Sequence, residues 1–387
     1  MDLSKENVII PAALQLCLDD VGWHDGRDLR TIGQPSRSGL PRDHAPEDYK
    51  MLAELGRAID MKITCPLCIG DWDKNNVLRG EVGITHKPYT WDRASEIDYD
   101  YAAKCFAELE GAEYIEYALH GLMHGRYSET GELIWEREYF IPTDETQKTS
   151  RLDINDFRHR LDLFFEIYNA WGFSQDIKIF VAPCSMQTTN VAIMEEMAEE
   201  LTARGIKYWA NGGYPFKEHF RRFSDIICMR KMGNVPWEAY DYDPKYFEPF
   251  GADGTNIRSN IIGMHWTNFL RYNPENNLLR LDDWVDFFKR QSEVFGAMLS
   301  KDMAFSANQQ FYRMHSKITF EEKKCIIDIT EALEMKNVKG SDVFYISFKN
   351  GTDPVSCEGG EMKLYETHNE FKTYEIRHSS DKITLSF

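Results

Sequence analysis

The sequence lacks long apolar runs. No uninterrupted apolar stretch reaches the roughly 20 residues that a membrane-spanning helix needs. The N-terminus does not read as a charged-then-apolar leader. Basic residues are also in short supply. Lys and Arg number 45 against 63 Asp and Glu, a net charge of −18. That balance argues against a nucleic-acid partner, which calls for a basic face, and gives no support to binding at anionic membranes. The chain is therefore expected to be soluble and cytoplasmic. The 8 cysteines are scattered. Several lie inside apolar runs, as buried thiols do. Cys65-Pro-Leu-Cys68 is the one CxxC. It has no second pair to complete a zinc knuckle, and it lies in a strand-like run rather than at a helix start, so plain packing is its expected role. Internal repeats and low-complexity segments are absent too.

What is present is an alternation of strand-like and helix-like segments. The length suits one large α/β domain with an appendage, or two ordinary domains. Ala13 to Leu18 reads as a buried strand with an acidic stop. Pro46 to Ile59 reads as a helix, with Pro46 at its first position and Leu52, Leu55 and Ile59 on one face. Met61 to Ile69 is a strand, Ser95 to Leu109 a helix, and Glu113 to Leu119 a strand that runs into His120. Leu152 to Trp171 is a helix closed by Gly172. Ile177 to Ala182 is a strand ended by Pro183, and Asn190 to Arg204 a helix. Ile206 to Ala210, Ile226 to Arg230 and Asn260 to His265 complete seven strands, and Leu281 to Leu299 reads as one long helix. Repeated strand–helix units imply parallel strands with right-handed crossovers, and ligands gather at the carboxyl ends of such strands.

From Lys317 the character changes. Phe320 to Met335 reads as a helix. Val343 to Phe348, Met362 to Glu366, Phe371 to Arg377 and Ile383 to Phe387 alternate like antiparallel strands, with Asn350-Gly351 as a turn signal. The expected division is residues 1–316 and a β appendage over 317–387.

Three pieces could carry chemistry. Asp19-Asp20 interrupts an apolar strand end, where carboxylates are costly unless solvated, paired or bound to a cation. A solvated loop or a helix cap is the alternative. Neighbours on a strand point to opposite faces, so both can reach one site only where the strand curls at its end. His120-Gly-Leu-Met-His124 follows the third strand. If a helical turn begins after Leu119, both rings face one cation. With 11 His in the chain, roughly 0.3 such pairs arise by chance, so spacing alone leaves two ordinary histidines as an open reading. His265 ends the last strand. Trp23, Trp72, Trp91, Trp135, Trp237 and Trp266 fall in loops near strand ends, where flat aromatics can stack on sugar faces or pack a lid.

Together these pieces resemble the polysaccharide deacetylase family, the NodB-homology fold of carbohydrate esterase family four. The first two are closest to a subgroup reading Asp-Asp-Val near the first strand and His-Gly-x-x-His after the third. Here those motifs are Leu18-Asp19-Asp20-Val21 and His120-Gly121-Leu122-Met123-His124. Phe180-Val181-Ala182-Pro183, Gly205-Ile206-Lys207-Tyr208-Trp209 and Gly263-Met264-His265 are similar to the third, fourth and fifth family motifs. The likeness spans roughly Val8 to Phe305. It implies an α/β fold, a distorted (β/α)7 barrel of the polysaccharide deacetylase type. It implies one divalent metal ion, zinc or similar, held by Asp20, His120 and His124. It implies Asp19 as general base and His265 as general acid, and an oxyanion steadied by the metal and a backbone N–H near Pro183 and Cys184. Trp23 and Trp266 would join Pro183 and Cys184 in contacting substrate. The implied reaction is removal of an acyl, chiefly acetyl, group from a carbohydrate or other small acylated substrate.

The chain departs from the pattern in two places. Val181 stands where the family has an Arg that orients the base, and Asn211 lies near the place of an Asp that tunes the acid. Arg126, Arg27 or Asp241 could substitute from loops. The long segment Val21 to Asp60, with His24 and the charged run Asp25 to Arg30, could form a rim or lid. Two other readings stay open: a non-catalytic carbohydrate-binding protein on the same fold, and a different carbohydrate-active or C–N bond hydrolase on the same scaffold.

Overall fold

The computed structural model describes residues 3–22, 40, 42–144, 150–184, 190–211, 220–223, 226–232, 240–246, 259–334 and 341–387. Its centre is a curled parallel sheet. The strands are β1 (Ala12–Asp19), β2 (Ile63–Cys68), β3 (Ile115–Gly121), β4 (Ile179–Val181), β5 (Tyr208–Asn211), β6 (Ile226–Met232) and β7 (Ile261–His265). β1 and β2 are buried at every residue. That is why they read as nearly continuous apolar runs rather than alternating ones. Parallel pairings run from β1 through to β5 in sequence order. β5 then pairs with β6, β6 with β7, and β7 with β1. The pairings thus return to their start, which is compatible with a distorted barrel. Distortion shows where β1 meets β2 and β3 meets β4, each through a single residue pair.

Helices cover the sheet, and local sequence starts and stops them. α1 (Pro46–Ala58) opens on Pro46 with Glu47 and Asp48 in its first turn, where acidic groups complement the helix dipole. α2 (Tyr99–Glu110) is capped by the Asp98 carboxylate, which accepts from Tyr101 N–H. α3 (Ile154–Trp171) is capped by Asp153 and stopped by Gly172 in the left-handed region at φ 70°. α4 (Val191–Thr202) is capped by Asn190. Among the described residues, no helix is long and apolar enough to cross a membrane.

Several sequence expectations need correction. The helix expected from Ser95 is split into Arg93–Glu96 and α2, because Asp98 caps a new start. The long helix from Leu281 ends at Ser292 as α5. Residues Ala297–Leu299 instead pair in parallel with the start of β1, after the chain turns at Gly296 with φ 96°. The helix expected from Phe320 to Met335 is mostly a hairpin. Lys317–Glu321 pairs with Lys324–Asp328, leaving only Thr330–Glu334 helical. Period-two alternation there buries Cys325 and Ile327 and overrides the helical reading.

A further helix, α6 (Met303–His315), was not foreseen. Its inward face carries polar residues, which breaks the apolar stripe. Gln309 donates to the carbonyls of Pro11 (3.0 Å) and Tyr345 (2.9 Å) and accepts from Tyr345 N–H. Ser306 Oγ donates to Ala13 O, and Met303 N–H to Glu116. Pro11, Ala13 and Glu116 lie at or just before the starts of β1 and β3, so α6 closes the N-terminal end of the sheet. The C-terminal strands pack on α6 and on the chain's first strand. Val343–Lys349 pairs with Val8–Ile9 and with Phe371–His378. Its Phe344, Ile346 and Phe348 share one buried cluster with Cys17, Ala118, Val181 and Ile227 of the barrel. The ends of the strands opposite α6, where Asp19, His120 and His265 lie, are left for a site.

Glu116, near the start of β3, accepts from Thr64 Oγ1 (2.7 Å) and Met303 N–H (2.9 Å). Burial pushes its carboxyl up to about 8 against the Thr64 hydrogen bond. A folded value above the unfolded one means that the fold favours the neutral acid. The stability this contributes is complete below the ordinary value of 4.5 and is lost as pH rises through about 8. Glu116→Gln keeps an acceptor without the charge. In thermal unfolding, the variant should therefore gain on the wild type as pH climbs from about 5 to about 9. A Tm difference that does not change with pH would show that Glu116 is not held neutral.

Candidate metal centre

β1 ends at Asp19, and Asp20 follows in the left-handed region at φ 68°. This is the curl that lets adjacent carboxylates share one site. β3 does not stop at Leu119 as expected. It continues through His120 to Gly121. The chain then reverses, and His124 also adopts a left-handed conformation, φ 53°. The two histidines therefore meet across a reversal rather than along a helical turn. Non-glycine residues at positive φ are uncommon and gather at functional sites. Here two of them are the proposed ligands.

Asp20 Oδ1 lies 3.1 Å from His120 Nε2 and 3.4 Å from His124 Nε2. Ligand atoms from the three side chains all lie within 4.8 Å of one another. All three residues are buried, at 1%, 1% and 5% exposure. His120 Nδ1 is 2.6 Å from the Val181 carbonyl. A carbonyl only accepts, so Nδ1 carries the proton and donates it there. In a neutral ring, Nε2 would then be a bare acceptor facing a carboxylate. Two acceptors at that distance, away from water, need a cation between them: a proton or a metal ion. Asp20 Oδ2 is also buried without a hydrogen-bond partner. Burial alone would raise the Asp20 carboxyl. The charge of His124 and the hydrogen bond with His120, with His265 also contributing, hold it well below the usual carboxylate range. One carboxylate and two imidazoles with an unmatched oxygen fit a divalent ion of the zinc type.

His265 pairs in register with Asp19 across β7 and β1. Its Nε2 is 3.8 Å from Asp20 Oδ2, and its side chain is 25% exposed. Burial pushes this imidazole below the usual histidine range, although the charges of Asp20 and Asp19 oppose the shift. Asp19 is nearly buried, at 9% exposure. Its Oδ2 is ion-paired with Lys231 Nζ. Burial is the largest influence on the Lys231 ammonium and lowers it, but Asp19, with Cys17 and Asp20, raises it further, and the net shift is upward. Lys231 comes from β6, and its stem lies over Gly263 of β7. A Cβ on Gly263 would sit 2.7 Å from Lys231 Cγ. The glycine therefore leaves the path by which the ammonium reaches the carboxylate.

Lys231 is one residue that sequence reasoning missed. Its signal was the adjacent charges of Arg230 and Lys231 at the end of an apolar strand. Two of the substitutes considered for the absent Arg and Asp are engaged elsewhere. Arg126 pairs with Asp156 at 2.7 Å. Asp241 lies between Arg271 and Arg280, at 3.5 and 3.4 Å. Arg27 lies outside the described residues, as do His24, the run Asp25 to Arg30, Trp23 and Trp237. Pro183 is at the same rim, its Cγ 3.2 Å from where a Cβ on Gly121 would be. Cys184 follows at φ 50°, its thiol 3.5 Å from Glu136 Oε2. Trp266 is fully buried. It packs against His44 and Tyr49 at ring-centroid distances of 3.9 and 5.0 Å, so the structure gives it a packing position. Trp72, Trp91 and Trp135 are buried as well.

No protein-family model matches the chain. No curated protein matches it. Among solved structures it is similar to the crystal structure of Agd3, described as a novel carbohydrate deacetylase, with a TM-score of 0.49 and 10% identity over 97% of this chain. The chain spans 65% of that protein's length. A likeness this distant bears on neither substrate nor activity, so the reading of the site rests on its own geometry.

That geometry makes a prediction about Lys231 and Gly263. Gly263→Ala should cost about 1–3 kcal/mol by crowding the lysine stem. In a Lys231→Ala background the same change should cost much less, since the crowded atoms are gone. A double-mutant cycle in urea reads the coupling. Strictly additive costs would mean that Lys231 does not lie over Gly263.

Proposed function

We propose that the chain is a metal-dependent hydrolase that removes an acyl group, chiefly acetyl, from a carbohydrate. The observation that carries this reading is the buried Asp20 carboxylate facing Nε2 of both His120 and His124, with Asp19 and His265 beside it on adjoining strand ends. Asp20, His120 and His124 would hold the ion. When bound, a divalent ion of the zinc type supplies Lewis acidity, which polarises an acyl carbonyl and makes water a stronger acid.

The remaining work falls to this chain's own groups. Asp19 takes the proton of the attacking water as general base. Lys231 pairs with that carboxylate and aims it, the part played in the resembling family by the Arg that Val181 replaces here. His265 holds a proton beside the leaving group and delivers it as general acid. The turn at Pro183 and Cys184 offers backbone on the same rim to steady the acyl oxygen. The pairing of Lys231 with Asp19 favours an enzyme over a pure binder, because a binder has no use for a fixed base next to its ion.

The test is acetate release from acetylated amino sugars and acetylated sugar esters. Asp19→Asn should lower turnover by about 10²–10⁴ while metal content stays near that of the wild type. His265→Ala should do likewise. If the sugars bind but the wild type releases no acetate above a chelator-treated control, the carbohydrate-binding reading replaces this one.

A further inference from the structure

The reversal between Gly121 and His124 brings His124 back to Asp20, and something must hold it. The amides of the reversal point inward, to Glu138. Leu122 N–H donates to both Glu138 oxygens, at 2.8 and 3.0 Å, and Met123 N–H to Oε2 at 3.1 Å. The His124 N–H is turned on the same carboxyl. Successive amides converging on one anion form a nest. Here the acceptor is a side chain of the protein itself, wholly buried at 0% exposure; burial pushes its carboxyl above the ordinary range, and Arg160 and the amides of the reversal oppose that shift. Its counter-charge is Arg160, 3.9 Å away and equally buried.

The neighbours are built around that carboxylate. A Cβ on Gly121 would fall 2.5 Å from Glu138 Oε2, so the glycine in His-Gly-x-x-His makes room for it. The next residue, Tyr139, donates its hydroxyl to the carbonyl of His120 at 3.2 Å. Arg126 ties the Glu138 carbonyl (3.0 Å) to Asp156. One short segment thus braces both ends of the ligand-bearing loop.

We infer that Glu138 is a positioning residue for the metal centre: its buried carboxylate locks the 121–124 reversal so that His124 stands ready opposite Asp20. The inference rests on the proposed reading of Asp20, His120 and His124 as metal ligands. Without the carboxylate, several buried amides would lose their acceptor, and the reversal would relax toward other partners. The left-handed His124 would no longer be held in place.

The experiment is a zinc titration of the full chain against a chromophoric chelator, comparing wild type with Glu138→Gln. The amide matches the carboxylate in shape, but it has no charge and has a donor where an acceptor is needed. Zinc affinity should fall by about 10–100-fold, the usual range for residues that orient ligands. In the cobalt-substituted protein, the visible spectrum should shift toward fewer nitrogen ligands as His124 departs. A residue needed only for global stability would move neither readout in a folded sample. If the Gln variant does not fold, Glu138→Asp takes its place, keeping the charge but drawing it back by one methylene. Equal zinc affinity and equal spectra in wild type and variant would overturn the inference and leave the metal site standing. A wild type that binds no zinc would overturn the metal reading, and this inference with it.

Discussion

A buried carboxylate between two imidazoles is unstable unless positive charge lies among them. Asp20 is in that position. The Val181 carbonyl accepts the hydrogen bond of His120 Nδ1–H, which turns the other nitrogen toward Asp20 as a bare acceptor. The rest of the site follows from this. β1 must end in a curl to turn Asp20 inward, β3 must deliver His120 at the same level, and the chain must reverse at once to return His124. The barrel supplies the first two by placing parallel strand ends side by side. Left-handed backbone at Asp20 and His124 supplies the rest. Such backbone strain persists only where its surroundings over-determine it.

The surroundings are a set of ionic contacts made from within the fold. Lys231 crosses over Gly263 to reach Asp19, and the Glu138 carboxylate fills the space that Gly121 leaves. In each case a glycine makes room for a charged side chain from another segment. The charges are buried and paired, so removing one partner costs more than the pair itself contributes. That arrangement suits a site meant to hold one geometry. At the other end of the strands, α6 and the C-terminal strands form an apolar floor with polar ties, and no cluster of metal-ligating groups occurs there among the described residues.

Much of this was legible in the sequence. The barrel strands were visible because buried parallel strands are nearly continuous apolar runs, here interrupted at Gln15 and Thr64, with polar stops. Asp19, Asp20, His120, His124 and His265 were visible because such residues are conspicuous at strand ends. What escaped had physical causes. Lys231 and Glu138 act through contacts distant in sequence, and no spacing rule marks them. α6 escaped because its buried face is polar. The hairpin from Lys317 to Asp328 stands over much of the helix expected from Phe320 to Met335, because short apolar runs fit either period. The His120 to His124 spacing was read as a helical turn, whereas four residues can also span a tight reversal held by a distant carboxylate.

The central claim is that Asp20, His120 and His124 share one divalent ion. Anomalous diffraction from crystals of the zinc-loaded protein tests it most directly. The account predicts a single strong peak about 2.0–2.2 Å from an Asp20 carboxylate oxygen and from Nε2 of both His120 and His124. A peak elsewhere would contradict it. So would an Asp20 that remains in direct contact with both imidazoles at saturating zinc, because that would show the positive charge between them to be a proton.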